Sequence, residues 1–147
     1  MDQIGILCKC WAISEESEEL FDCAKENIEE CWPAVEAIAK CELPAACWQA
    51  YVAAATVGSR AEALLRAALD DLDIYARRRG ALSLAVLEPK DSKEIASLLM
   101  SQEDRYLRQV AIEFVLVLGD NPFQEKALKK LSSDAEPYVR EAARRLL

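Results

Sequence analysis

Pro137-Tyr138-Val139-Arg140-Glu141-Ala142-Ala143 aligns without gaps with Arg105-Tyr106-Leu107-Arg108-Gln109-Val110-Ala111 and with Ile74-Tyr75-Ala76-Arg77-Arg78-Arg79-Gly80. The tyrosines are 31 and 32 residues apart. Each is followed two residues later by arginine (Arg77, Arg108, Arg140) and five residues later by a small residue (Gly80, Ala111, Ala143). Seven residues before each tyrosine stands an apolar residue (Ala68, Leu99, Leu131), and ten before stands another (Leu65, Ala96, Leu128). A fixed apolar frame with two helices per unit is the pattern of an α-solenoid, whose units bury their apolar faces against one another. At these phased positions the tyrosines read as packing residues before base-stacking ones.

The punctuation outside the frame is helical too. Ser14 begins a segment with acids crowded into its first turn, where the helix dipole favours them. Pro33 and Pro44 fit first-turn positions, and Pro137 opens the last helix. Gly58 closes a helix, and Ser59-Arg60-Ala61-Glu62 reads as a capping box for the next. Asp91-Ser92-Lys93-Glu94 is a second such start, and Gly119-Asp120-Asn121-Pro122 ends one helix and opens another. No run alternates as a strand would. The apolar stretch Val110 to Leu118 reads as a buried helix, as does the uncharged stretch Leu43 to Ser59. The expected architecture is all-α, with about eight helices of roughly 9–17 residues joined by short loops.

Residues 134–147, Asp-Ala-Glu-Pro-Tyr-Val-Arg-Glu-Ala-Ala-Arg-Arg-Leu-Leu, resemble the second half of a HEAT repeat, with its acid, its Val-Arg pair and the small residue after it. Residues 104–118 match through Leu107-Arg108, and residues 73–87 match with Ala76-Arg77 and Gly80. A degenerate unit within 32–58 uses Ala45 as the phase position and Ala50 as the small residue, and lacks the arginine. The resemblance implies a right-handed α-solenoid of three to four HEAT-like hairpins in a single domain, 1–147. Its parts are an acidic helical segment at 1–31, the degenerate repeat at 32–58 and three repeats at 59–147. It places Arg77, Arg78, Arg108, Arg140 and Arg144 on second helices, which line the concave side of such arrays. There Arg77, Arg108 and Arg140 either pair with acids as a ladder or contact a ligand. HEAT-like repeats also occur in small bilin lyase-type proteins and in DNA glycosylases, but no residue beyond the shared frame supports either activity.

The charge balance locates a second feature. The chain of 147 residues carries 18 basic and 26 acidic residues, a formal net charge of −8. Residues 1–70 hold 13 acids and 5 bases, and residues 71–147 hold 13 of each, so the whole excess lies in the first half. Its densest part runs through Glu15, Glu18, Glu19, Asp22, Glu26, Glu29 and Glu30, opposed only by Lys25. On a continuous helix these share one face opposite an apolar stripe of Leu20, Ala24, Ile28 and Cys31. Like charges at i, i+4 repel by about 0.2–0.5 kcal/mol per pair. Such a face is either a solvated one that maintains solubility or one that steers a basic partner.

Histidine is absent, which removes His-based triads, Cys–His dyads, His metal sites and His pH switches. The six cysteines, Cys8, Cys10, Cys23, Cys31, Cys41 and Cys47, show no C-x-x-C spacing, so no metal site is expected. They read as small residues at close helix crossings, in acidic surroundings that disfavour the thiolate. No phosphate-binding loop, nucleophile elbow or calcium loop is present, and neither a catalytic site nor a cofactor is expected. No stretch reads as a membrane span or signal peptide, so a cytoplasmic location with reduced thiols is expected.

The function expected is therefore non-enzymatic protein binding by a small bacterial inhibitor of the immunity type that captures a basic toxin or effector. The alternatives are an adaptor or chaperone-like subunit of a secretion or signalling complex, and a HEAT-like nucleic-acid binder or lyase using the arginine-lined face. Nucleic acid is the less favoured partner because the C-terminal half carries no net positive charge.

Overall fold

The computed structural model describes residues 3–13, 19–119 and 122–147, and helices are the only regular elements among them. The chain forms two compact units, Met1–Leu87 and Glu88–Leu147. The first contains α1 (Gln3–Ile13), α2 (Glu19–Glu26), α3 (Ile28–Ile38), α4 (Pro44–Ala54), α5 (Glu62–Ala67) and α6 (Ile74–Val86). The second contains α7 (Ser92–Leu99), α8 (Arg105–Val117), α9 (Pro122–Leu131) and α10 (Pro137–Arg144). Among the described residues no helix is long and apolar enough to cross a membrane.

The first unit is organised around α4. Pro44 occupies the first turn of α4, where its missing N–H leaves no bond unmade. The helix is buried almost all round, through Ala46, Cys47, Gln49, Ala50, Tyr51, Ala53 and Ala54. Such a helix needs neighbours on several sides, and α1, α3 and α6 supply them. Gln49 is its one buried amide, and its Nε2 donates to the Trp11 carbonyl of α1 at 2.8 Å and to Ala45 O at 3.0 Å. That bond satisfies a polar group which would otherwise cost about 1–3 kcal/mol when buried.

The sequence frame maps onto the interior. Leu65, Ala68, Ala96, Leu99, Leu128 and Leu131, ten and seven residues before the tyrosines, are all buried. Gly80, Ala111 and Ala143 are buried as well. The same offsets from Ala45 reach Val35, Ile38 and Ala50, and each of these is also buried. At Gly80 the crossing leaves no room for a side chain, since an added Cβ would lie 2.3 Å from the Cβ of Ala68.

Several expected boundaries are corrected. Pro33 lies inside α3, because that helix begins at Ile28 rather than next to the proline. The acidic segment is not one continuous helix. It breaks at Asn27, whose φ of −118° and ψ of 35° lie off the helical region. Asn27 Nδ2 donates back to the Cys23 carbonyl at 2.9 Å, closing the end of α2. The capping box at Ser59 does not form either. Gly58, with φ of 64° and ψ of −143°, ends the preceding turn, residues Ala55–Ala61 wind as 3₁₀ turns, and α5 starts only at Glu62. These breaks split what reads as about eight longer helices into ten α-helices of 6 to 13 residues among the described residues.

The Gly80 crossing yields a direct prediction. Gly80→Ala should lower stability by about 1–3 kcal/mol through overpacking, whereas Gly5→Ala, with nothing within 4 Å of the new methyl, should not. Urea denaturation of the two variants checks this.

Candidate functional site

The phased arginines face the loops that lead into their own helices. Arg77 Nε and Nη2 donate to the Asp71 carbonyl at 2.8 and 2.6 Å. Arg108 Nη1 donates to the Gln102 and Glu103 carbonyls at 3.0 and 2.7 Å. Arg140 Nη1 donates to the Asp134 and Ala135 carbonyls at 2.6 and 2.7 Å. In each case the acceptor lies six residues back, joined in the last two by the one after it. In the hairpin without an arginine, Cys47 stands at the equivalent position, and its Sγ donates to the Cys41 carbonyl at 3.1 Å, again six residues back.

Carboxylates complete the arrangement. Arg108 Nε and Nη2 also grip both oxygens of Asp134 at 2.8 and 2.9 Å, in a pair whose side chains are only 15% and 9% exposed. Asp134 Oδ1 accepts as well from the Glu136 N–H at 2.8 Å, which shapes the turn into α10. Arg108's hydrogen bonds hold the Asp134 carboxyl below its ordinary value despite burial, and the Glu136 N–H adds to the same effect. In the first unit the Tyr51 hydroxyl donates to Asp71 Oδ2 at 2.7 Å, while Asp71 Oδ1 accepts from the Asp73 N–H at 2.9 Å. Burial and the bond to Asp71 push the Tyr51 hydroxyl well above its ordinary range. Asp73 and Asp104 cap α6 and α8 by accepting from Ala76 and Leu107 N–H groups.

The other two arginines of the expected concave set are placed differently. Arg78 is half-buried, and Arg144 is exposed with its Nε on the Ser132 carbonyl at 3.1 Å.

Of the acidic set, Glu15 and Glu18 lie outside the described residues, and Glu19 is the first residue of α2. Asp22 and Glu26 are exposed on α2, and Glu29 and Glu30 are exposed on the first turn of α3. Arg60 bridges to Glu29 at 2.9 Å and lies 5.2 Å over the Trp32 ring. Lys25 stands 3.9 Å from Asp22. Exposed pairs of this kind contribute about 0–1 kcal/mol to stability, and two cations beside four exposed carboxylates leave the face negative.

The tyrosines are a correction. Tyr75, Tyr106 and Tyr138 are 44%, 43% and 71% exposed, so they do not pack the core. Two residues on a helix are about 200° apart, and an arginine turned toward its own loop leaves the tyrosine two places earlier on the other side. The buried column starts one residue after the tyrosine, at Ala76, Leu107 and Val139. In the second unit Tyr106 and Tyr138 border an open cleft of about 520 Å³ with Arg105 and Glu136. Arg105 lies 4.7 Å over the Tyr106 ring and bridges to Glu136 at 3.3 Å. In the first unit Arg79 lies 5.0 Å over Trp48 and 5.6 Å over Tyr75. Its Nε is buried with no hydrogen-bond partner among the described residues.

The thiols separate by environment. Cys8 and Cys47 are buried, Cys31 and Cys41 half-buried, and Cys10 and Cys23 exposed. Cys41 and Cys47 approach within 3.9 Å. Among the described residues no group of three potential ligands could hold a metal ion.

No protein-family model and no curated protein sequence matches the chain.

The Arg108–Asp134 pair has a pH signature. Asp134's folded value is lowered, so the pair's stabilisation is present above the unfolded carboxylate value of about 3.9. It is lost as pH falls through the lower folded value. Asp134→Asn should cost about 3 kcal/mol at neutral pH, because it removes the counter-charge of a largely buried guanidinium. Urea titrations at pH 7 and near pH 3 should find the gap between variant and parent narrowing in acid.

Proposed function

We propose that the chain is a non-enzymatic protein-binding module whose acidic α2–α3 face captures a basic protein. Its form is that of a small cytoplasmic bacterial inhibitor masking a cationic toxin or effector. Its scaffold is a HEAT-like, right-handed array of three to four helical hairpins. Two features support the scaffold: the recurrence of buried positions at the same offsets in four hairpins, and the bond from the phase residue to the carbonyl six back.

The observation that carries the binding reading is where the charges are free. Arg77, Arg108 and Arg140, the residues best placed by sequence to grip phosphates, donate instead to loop carbonyls. A phosphate competitor would have to replace several charge-assisted hydrogen bonds. The carboxylates of Asp22, Glu26, Glu29 and Glu30 are exposed, and the nearby cations Lys25 and Arg60 offset only two of them. A concentrated field of one sign raises the encounter rate with a partner of opposite charge and does so less as salt screens it. Capture of a basic protein is the function that uses this field. An adaptor or chaperone-like role would use the same surface for a less charged client.

The test is an affinity isolation from native cells, followed by association kinetics with the basic protein recovered. The on-rate should fall steeply with ionic strength. Asp22→Asn, Glu26→Gln and Glu30→Gln together should lower it about tenfold or more at low salt, with little change in melting temperature. If Tyr106→Ala with Tyr138→Ala abolishes binding while these charge changes do nothing, the aromatic cleft is the contact and this reading fails. Salt-resistant binding of DNA or RNA would fail it too, in favour of the nucleic-acid alternative.

A further inference from the structure

Cys41 lies in the turn after α3 and Cys47 in the first turns of α4, six residues apart. Their sulfurs are 3.9 Å apart, and neither is held away from the other by a competing bridge. Cys47 Sγ donates to the Cys41 carbonyl at 3.1 Å and to the Ile38 carbonyl at 3.6 Å, and Cys41 Sγ faces the Leu43 carbonyl at 3.8 Å. Both residues line an open cleft of about 470 Å³ together with Asp71. Cys41 is half-buried and Cys47 buried, so a small oxidant entering the cleft meets Cys41 first. This is the arrangement of an attacking thiol beside a resolving one.

We propose that Cys41 and Cys47 are a reversible oxidation site, closing to an intramolecular disulfide when the chain meets a peroxide. The Cys41 sulfur attacks one oxygen of hydrogen peroxide and the O–O bond breaks. The departing hydroxide takes the thiol proton and leaves as water, giving Cys41 sulfenic acid. The Cys47 sulfur then attacks the Cys41 sulfur, the S–O bond breaks, and the hydroxyl leaves as a second water with the Cys47 proton. Two thiols lose two protons and two electrons, and one peroxide takes them up to become two waters. A dithiol reductant reverses the step by exchange.

The order of events follows from the environment. Burial, with the neighbouring Cys41 and Asp71, pushes the Cys47 thiol up to about 12, so Cys47 serves as the hydrogen-bond donor and not as the first nucleophile. Closure replaces that donor bond with a covalent tether across the same turn. The hairpin that lacks the phase arginine thus acquires a fixed link in its place, and only under oxidation. The other exposed thiols, Cys10 on α1 and Cys23 on α2, give peroxide a simpler chemistry.

The experiment uses the full chain, reduced and then treated with a stoichiometric amount of hydrogen peroxide. Intact mass should show a monomer lighter by two hydrogens. A non-reducing peptide map should give the Cys41–Cys47 linkage as the principal disulfide, and dithiothreitol should restore the original mass. Cys47→Ser keeps a hydroxyl donor for the Cys41 carbonyl, so the hairpin is retained. In that variant the linkage is lost, and a dimedone adduct accumulates at Cys41 that is absent from the parent. The proposal is overturned if peroxide leaves Cys41 and Cys47 unlinked in the parent while oxidising Cys10 or Cys23. It is equally overturned if dimedone labels Cys41 to the same extent with and without the Cys47 thiol.

Discussion

A turn between two packed helices ends one helix with free carbonyls and begins another with free N–H groups, and neither set can be buried without partners. In this chain one recurring contact answers much of that demand: a donor near the start of the second helix reaches back six residues to a loop carbonyl. Arg77, Arg108 and Arg140 make it with guanidinium groups and Cys47 makes it with a thiol. Around it Asp71 and Asp134 cap the following residues, and Tyr51 and Arg108 hold those carboxylates. The turn is thereby rigid enough to set the angle at which the small-residue column of the second helix meets the first. At Gly80 that approach is close enough to exclude a methyl group.

The same contact determines which charges are available to a partner. Arginines with this regular spacing donate to backbone carbonyls of their own turns, and the turn accounts for their regularity. Exposure is found instead two and three residues earlier, on Tyr75, Tyr106, Tyr138 and Arg105, and on the carboxylates of α2 and α3. Stacked guanidinium–aromatic pairs such as Arg105 with Tyr106 are worth about 0.5–1 kcal/mol at exposed sites. They are local braces for a surface that stays open to solvent.

The helical frame was legible because burial repeats at fixed offsets. Leu65 and Ala68, Ala96 and Leu99, and Leu128 and Leu131 are each separated by three residues, and that spacing alone puts each pair on one face of a helix. Two things escaped the pattern. Helix breaks depend on single backbone conformations, Asn27 off the helical region and Gly58 at positive φ, which the surrounding periodicity does not encode. The direction of the tyrosines depends on the phase of the buried column, and a gapless alignment leaves that phase open by one residue. The aligned arginines held the missing signal. A helix cannot turn a residue toward its own loop and also bury the residue two places earlier, on the opposite side.

The hairpin of α3 and α4 has the weakest sequence match, and its chemistry explains why. Substituting a thiol for a guanidinium keeps the bond to the carbonyl six back but removes a permanent charge and the capacity to grip a neighbouring carboxylate. Asp71 is accordingly met by Tyr51, a neutral donor, where Asp134 is met by Arg108. In the turn between α3 and α4 the donor is a neutral thiol, weaker than a guanidinium, so of the four turns this one has no charged anchor. It is also the only one of them whose anchoring atom can change its covalent state. The degeneracy that hides this hairpin from a pattern search is therefore what gives it chemistry that the arginine-bearing hairpins lack.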